Sequence, residues 1–251
     1  DDQIKIFQYC KKRKILFLST PYDQESVDFL DQLGVPAFKI ASTDLTNHIL
    51  LKHIAKKRKP ILLSTGLSEI NQVTKSVKLL IEMKMKNKLI LFHTTSDYPT
   101  NHNDVNLLVI PEYSKKFKIP VGFSDHTQDY VASLGAVTLG AKVLEKHFTL
   151  DRSLPGPDQS SSLEPSELSK WIQKIRILEK SLGTNKKIIT KSEKNNLSMR
   201  KMLIIKPIKK NSTISQNHLL ALRGDGKGIL PLEENIKKIV GKKILKNIDK
   251  S

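Results

Sequence analysis

The sequence predicts an α/β fold, a parallel sheet covered by helices, on three observations. Six short apolar runs recur between Ile15 and Thr149, and each ends in small polar or charged residues. Segments of helical period lie between them. The runs are continuously apolar, as strands buried on both faces are. Polar residues at every strand C-terminus point further, to a (β/α)8 TIM-type barrel with its chemistry on the C-terminal rim. The rival is a doubly wound open sheet, which would concentrate ligand residues at a switch point and often carry a Gly-rich turn after its first strand. No such turn is present.

The runs are Ile15–Thr20 (ILFLST), Ala37–Ser42 (AFKIAS), Pro60–Thr65 (PILLST), Leu89–Ser96 (LILFHTTS), Pro120–Asp125 and Val143–Thr149, with starts 22, 23, 29, 31 and 23 residues apart. Ser26–Leu33, Ile49–Ile54 and Val73–Ile81 carry apolar residues at helical spacing. A complete barrel has eight strands. Six runs therefore imply that about the first two β/α units are missing, and the chain opens in a helix-like stretch, Ile4–Lys12.

The stretch Pro120–Asp151 organises the rest. Two strand-like runs, Pro120–Phe123 and Val143–Leu144, flank a small-residue helix, Val131–Leu139. Strand–helix–strand makes the two strands parallel neighbours. Side chains alternate along a strand, so Ser124 shares a face with His126, and Glu145 with His147. Two imidazoles at the same ends of adjacent strands can converge on one metal ion. The other reading makes each a hydrogen-bonded rim residue. Two histidines 21 residues apart match no short ligand motif.

Asp151–Pro165 is rich in Ser, Pro and Gly. Pro165–Leu182 reads as a helix, with Pro165 at its start, Glu167 in its first turn and Gly183 as its stop. Leu168, Trp171, Ile172, Ile175 and Leu178 form one stripe, so Trp171 reads as packing. Residues 1–183 are expected to form the partial barrel, 184–199 a polar linker and 200–251 a small β-rich module, including Met202–Ile205 and Thr213–Ile214. Arg223–Gly228 (RGDGKG) is a Gly-rich turn without the strand-then-helix context of a phosphate cradle.

The chain has 251 residues and a formal charge of +18. Residues 181–251 alone carry +12. A basic tail suits nucleic acid or an acidic ligand. However, only six of the 43 cationic residues are Arg, and no aromatics interleave the basic run. A solvated Lys-rich surface is therefore the favoured reading, with no nucleic-acid partner. No apolar run reaches 18 residues, and the N-terminus does not read as a signal peptide. The single cysteine, Cys10, excludes an internal disulfide, so a cytoplasmic setting is expected.

Taken together, Leu18–Asp23 (LSTPYD), Phe38–Ser42 (FKIAS), Leu63–Gly66 (LSTG), Ser96–Thr100 (SDYPT), Gly122–His126 (GFSDH) and Glu145–Asp151 (EKHFTLD) resemble the sialic acid synthase family. Pro155–Asp158 (PGPD), Ser162–Pro165 (SLEP) and the tail, which looks like that family's antifreeze-like (SAF) domain, extend the resemblance over nearly the whole chain. Such enzymes join phosphoenolpyruvate to the aldehyde of an N-acylated hexosamine and release phosphate. The resemblance implies that His126 and His147 hold a divalent ion, Mn2+ or Mg2+. It implies that Thr20, Lys39, Ser42, Ser64 and Ser124 bind phosphoenolpyruvate and that Tyr98 and Asp158 orient the sugar. Arg223 matches the tail arginine that reaches the N-acyl group in the other subunit of a domain-swapped homodimer.

The sequence departs from the family's pattern in three places. The first two strands are absent, Ser96 stands where some members have Asn, and the tail is expected to end a few residues early.

Elementary chemistry agrees with the resemblance. Phosphoenolpyruvate is a trianion near neutral pH, which a rim lysine and a ring of hydroxyls suit. Its C3 is the nucleophile, so no Ser or Cys nucleophile is needed. Glu145 is then a proton carrier or an orienter of metal ligands, or else simply the ion-pair partner of Lys39 or Lys146. A Schiff-base pyruvate aldolase using Lys39 is the alternative enzyme. N-acetylmannosamine and the diacetamido-trideoxyhexoses are equally compatible with the motifs.

Overall fold

Continuously apolar strands must be covered, and parallel ones need helical crossovers. The computed structural model describes residues 2–223 and 227–249. They fall into two compact units, Asp1–Gly183 and Thr184–Ser251.

The first unit runs α1 (Asp2–Lys12), α2 (Gln24–Leu33), β1 (Phe38–Ile40), α3 (His48–Lys56), β2 (Ile61–Ser64), α4 (Ile70–Glu82), β3 (Leu89–Thr94), α5 (Val109–Phe117), β4 (Val121–Asp125), α6 (Val131–Thr138), β5 (Val143–Lys146) and α7 (Pro165–Leu182). The five strands are parallel and lie in chain order, β1-β2-β3-β4-β5. The sheet is a curled half-barrel.

Local signals place the helices. Asp23 caps α2, its Oδ1 accepting from the Ser26 amide at 2.6 Å, and Gly34 ends that helix in the left-handed region at φ 88°. Asn47 caps α3. Pro165 opens α7, and Glu164 and Glu167 form a reciprocal cap there.

The outer face of the sheet is apolar. Phe38, Ile40, Ile61, Leu63, Leu89, Leu91, Val121 and Phe123 join one buried cluster with Val27, Leu30, Leu51, Ile54, Val77 and Leu80 from the covering helices. Burying a side chain of this size contributes about 1.5–3 kcal/mol, so this face supplies much of the unit's cohesion. Strand alternation turns the intervening residues, Lys39, Ser64, Thr94, Ser124 and Glu145, to the inner face. The stripe on α7 packs in part: Trp171 and Ile175 are buried against Leu163 with Leu168 alongside, whereas Ile172 is exposed.

One strand expectation fails. Ile15–Thr20 forms no strand among the described residues, and Ile15, Leu16 and Leu18 are exposed. β1 pairs only with β2, so the run has the composition of a strand without a ladder to join. The arc accordingly has five strands and is not a closed barrel.

The second unit is smaller. It contains α8 (Lys191–Lys194), β6 (Lys201–Ile205), β7 (Leu219–Arg223) and α9 (Glu233–Ile239). β6 and β7 pair antiparallel, with Lys201 opposite Arg223. Ile208, Ile214 and Ile244 form its core, supported by isolated bridges Ile208–Ile248 and Thr213–Lys243. Residues 184–199 are therefore not wholly unstructured, and the module has a helix besides its strands. Gly224–Gly226, within the Gly-rich turn read from sequence, lie outside the described residues.

Candidate active site

Each of the five inner-face residues is the last or next-to-last of its strand. The register brings Thr94 of β3 opposite Ser124 of β4, and Ser124 opposite Glu145 of β5. Lys39 of β1 and Ser64 of β2 complete the rim. Together they line an open cavity of about 520 Å³, with Thr20, Tyr22, Ser42, Ser96, Tyr98, His126, His147 and Asp158. Seven separate segments of the chain thus meet in one place.

The side chains are already linked. The Lys39 ammonium donates to Ser64 Oγ at 2.8 Å and lies 3.4 Å from Glu145 Oε1. Ser124 Oγ donates to the same Glu145 oxygen at 2.7 Å and sits 3.3 Å from His126 Nε2. A cation, a carboxylate, a hydroxyl and an imidazole are therefore consecutive members of one network. The floor is tight at Gly66, whose N–H donates to Ser42 Oγ at 3.0 Å. A Cβ there would lie 2.2 Å from Ser96 Oγ.

His126 and His147 converge, with ring centroids 5.1 Å apart. Tyr98 lies over the pair, 4.3 Å from the His126 ring and 5.3 Å from that of His147. His126 Nδ1 lies 2.7 Å from the Thr95 carbonyl, which makes Nδ1 the protonated nitrogen and leaves Nε2 with a lone pair facing the cavity. Burial lowers the pKa of His126, an effect partly offset by the Thr95 carbonyl, so the ring is held neutral. Burial also raises the Tyr98 phenol, with further contributions from the negative charges of Asp158 and Glu145. Asp158 Oδ2 is 3.7 Å from His147 Nδ1.

Neutral imidazole lone pairs are the donors a divalent ion needs. Among the described residues, no group of three or more His, Cys, Asp or Glu side chains is placed to hold one. The site thus offers two imidazole donors, His126 and His147, and any ion held there would need water or substrate oxygens in its other positions.

Most residues singled out from sequence are brought together here: Thr20, Lys39, Ser42, Ser64, Tyr98, Ser124, His126, Glu145, His147 and Asp158. Arg223 ends β7 in the second unit and is exposed. Of the two partners weighed for Glu145, the ion pair forms with Lys39, whereas Lys146 pairs with Asp125 on the sheet's other face. Sequence reading missed Tyr22, Thr94 and Gly66. Thr94 was findable, since alternation puts it on the same face as Ser96 and Phe92. A larger, mostly apolar cavity of about 900 Å³ adjoins through Leu67, Thr94 and Ser96. The chemistry belongs to the smaller cavity, because the ionisable groups converge there.

Comparison with known proteins agrees with this geometry. The NeuB family model matches residues 1–187. The chain is 42% identical to N,N'-diacetyllegionaminic acid synthase of Campylobacter jejuni, over 95% of this chain and 72% of that protein. It is 36% identical to the N-acetylneuraminate-9-phosphate synthase of Homo sapiens, over 99% of this chain and 69% of that protein. The crystal structure of the N-acetylneuraminic acid synthetase from Leptospira borgpetersenii, in complex with citrate, superposes with a TM-score of 0.72 at 34% identity, covering 78% of this chain and 68% of that one. The chain spans about two thirds of the length of the curated relatives it matches. With the half-barrel, the clustered strand-end motifs and these matches in agreement, the chain belongs to the NeuB family, whose members here include sialic, legionaminic and pseudaminic acid synthases.

Proposed function

We propose that this chain supplies the active site for condensing phosphoenolpyruvate with an N-acylated hexosamine, giving a nine-carbon nonulosonic acid and phosphate. The observation that carries this reading is the single cavity in which Lys39, Ser64, Ser124 and Glu145 form one network beside His126 and His147. Lys39, with Thr20, Ser42, Ser64 and Ser124, binds the phosphate and carboxylate of phosphoenolpyruvate as a cation among hydroxyl donors. Tyr98 and Asp158 orient the sugar at the histidine side. C3 of phosphoenolpyruvate attacks the open-chain aldehyde carbon, forming the C–C bond, and the aldehyde oxygen takes a proton to become a hydroxyl. Water then adds at C2, and the C2–O bond to phosphate breaks. Glu145 is placed to move protons in both steps, because it touches Lys39 on one side and reaches His126 through Ser124. His126 and His147 would hold a divalent ion, which when bound supplies Lewis acidity to the aldehyde oxygen.

The tail belongs to the same reading. The second unit serves as an antifreeze-like (SAF) lid exchanged between the two subunits of a homodimer, with Arg223 at the sugar's N-acyl group. Among the described residues no helix is long and apolar enough to cross a membrane.

The direct test supplies the protein with phosphoenolpyruvate and, in turn, N-acetylmannosamine and each diacetamido-trideoxyhexose, and measures phosphate release. One sugar should turn over, a chelator should abolish the reaction and Mn2+ should restore it. His126→Ala and His147→Ala should lose both bound metal and turnover. No phosphate from any sugar with Mn2+ present, or full activity in chelator, would overturn the proposal.

A further inference from the structure

The geometry points to Lys146 as a positioning residue: from the helix face of the sheet it fixes the backbone that carries His126, and so sets the spacing of the His126–His147 pair. Asp125 and Lys146 are register partners on β4 and β5. They alternate with Ser124, His126, Glu145 and His147, so they point away from the cavity. Their side chains are 0% and 1% exposed.

The Lys146 ammonium has three acceptors for its three N–H donors. It lies 3.3 Å from Asp125 Oδ1, bonds the Thr127 carbonyl and lies 3.4 Å from the Asp129 carbonyl. Asp125 is equally engaged. Its Oδ1 accepts from the Thr127 amide at 2.9 Å and from the Thr127 hydroxyl at 2.8 Å, and its Oδ2 accepts from Ser133 Oγ of α6 at 2.5 Å. The segment 126–129 is thereby tied to β5 and to α6. His126 sits between the two residues at the centre of this network.

Burial of an ion pair is a poor route to stability, because desolvation offsets most of the attraction. An apolar pair of similar volume would hold the two strands together as well. It would not gather two backbone carbonyls and a carboxylate onto one point, which takes a multi-donor cation. That difference identifies what Lys146 contributes: the fixed path of the 126–129 turn, and with it the bond from His126 Nδ1 to the Thr95 carbonyl that aims Nε2 at the cavity.

The catalytic consequence rests on the proposed function, but the positioning itself is testable without turnover. The double substitution Asp125→Asn/Lys146→Met removes both charges at nearly constant volume. Thermal unfolding should show a folded protein. Imidazole 15N spectra should lose the protected Nδ1–H signal of His126 seen in the wild type, and Mn2+ titration should show affinity lower by about tenfold or more, as loss of an outer partner of metal ligands does. In phosphate-release assays kcat should fall. A folded double variant with the wild-type His126 signal and wild-type Mn2+ affinity would overturn the inference.

If that variant does not fold, Ser133→Ala tests the same network from α6. It should weaken the His126 signal and Mn2+ affinity in the same direction by a smaller factor, and no change in either would equally overturn the inference. A wild type that releases no phosphate would defeat the proposed function and leave the 15N outcome to decide the positioning.

Discussion

Ser124 and Glu145 face each other across the β4–β5 register, with the hydroxyl donating to the carboxylate at 2.7 Å. The same carboxylate oxygen lies 3.4 Å from the Lys39 ammonium. Glu145 therefore couples the cation that would hold phosphoenolpyruvate to the imidazole that would hold the metal. Glu145→Gln keeps the shape and the bond from Ser124 while removing the charge. It should lower kcat by roughly 10²–10⁴, the range for a general acid–base group, with a smaller effect on KM. Phosphate-release kinetics give both numbers. A kcat within a few-fold of wild type would reduce Glu145 to an ion-pair partner.

Lys39 separates the synthase from the Schiff-base aldolase. Its ammonium is engaged by Ser64 Oγ and Glu145, the setting of a binding cation. Lys39→Ala should weaken phosphoenolpyruvate binding by more than about 1.5–3 kcal/mol, the worth of a hydrogen bond to a charged group, and Lys39→Arg should keep part of it. Borohydride with pyruvate should trap nothing. A pyruvyl adduct mapped to Lys39 would transfer the assignment to the aldolase.

Much of this was legible because strands and strand ends carry strong signals. Five of the six apolar runs contain strands, and their polar ends all line one cavity. The signals failed where partners decide the outcome. Ile15–Thr20 has strand composition but no ladder to join. From the sequence Lys146 reads as a candidate ion-pair partner of Glu145, because the Asp125 carboxylate reaches it through strand pairing and not through sequence proximity.

Gly66 is fixed by its neighbours. An added Cβ would meet Ser96 Oγ at 2.2 Å and Ser42 Oγ at 2.8 Å, while the Gly66 N–H holds Ser42 in place. Gly66→Ala should cost stability by about 1–3 kcal/mol through overpacking. By displacing Ser42 it should also raise KM for phosphoenolpyruvate on the order of tenfold, ~1.4 kcal/mol. Adding Ser96→Gly to Gly66→Ala removes the nearest clash and should restore part of the lost stability. Thermal unfolding of the two variants checks this, and a double variant no more stable than the single one would place the strain elsewhere.

Arg223 carries the prediction about assembly. It ends β7, is exposed, and is one of six arginines among 43 cationic residues. A guanidinium differs from the surrounding lysines in its rigid fork, which can hydrogen-bond an amide carbonyl with fixed geometry. A lid bearing it would also exclude water from the condensation. Arg223→Ala should therefore raise KM for the sugar far more than KM for phosphoenolpyruvate. In the exchanged dimer, each site takes its histidines from one chain and its arginine from the other. Co-refolding His126→Ala protein with Arg223→Ala protein then makes dimers in which one site of the two is intact. With random pairing into two-fold dimers, about a quarter of wild-type activity should return. Neither variant alone should show it. If heterodimers form, as separable affinity tags would report, and no activity returns, Arg223 acts within its own chain or has no part in the reaction.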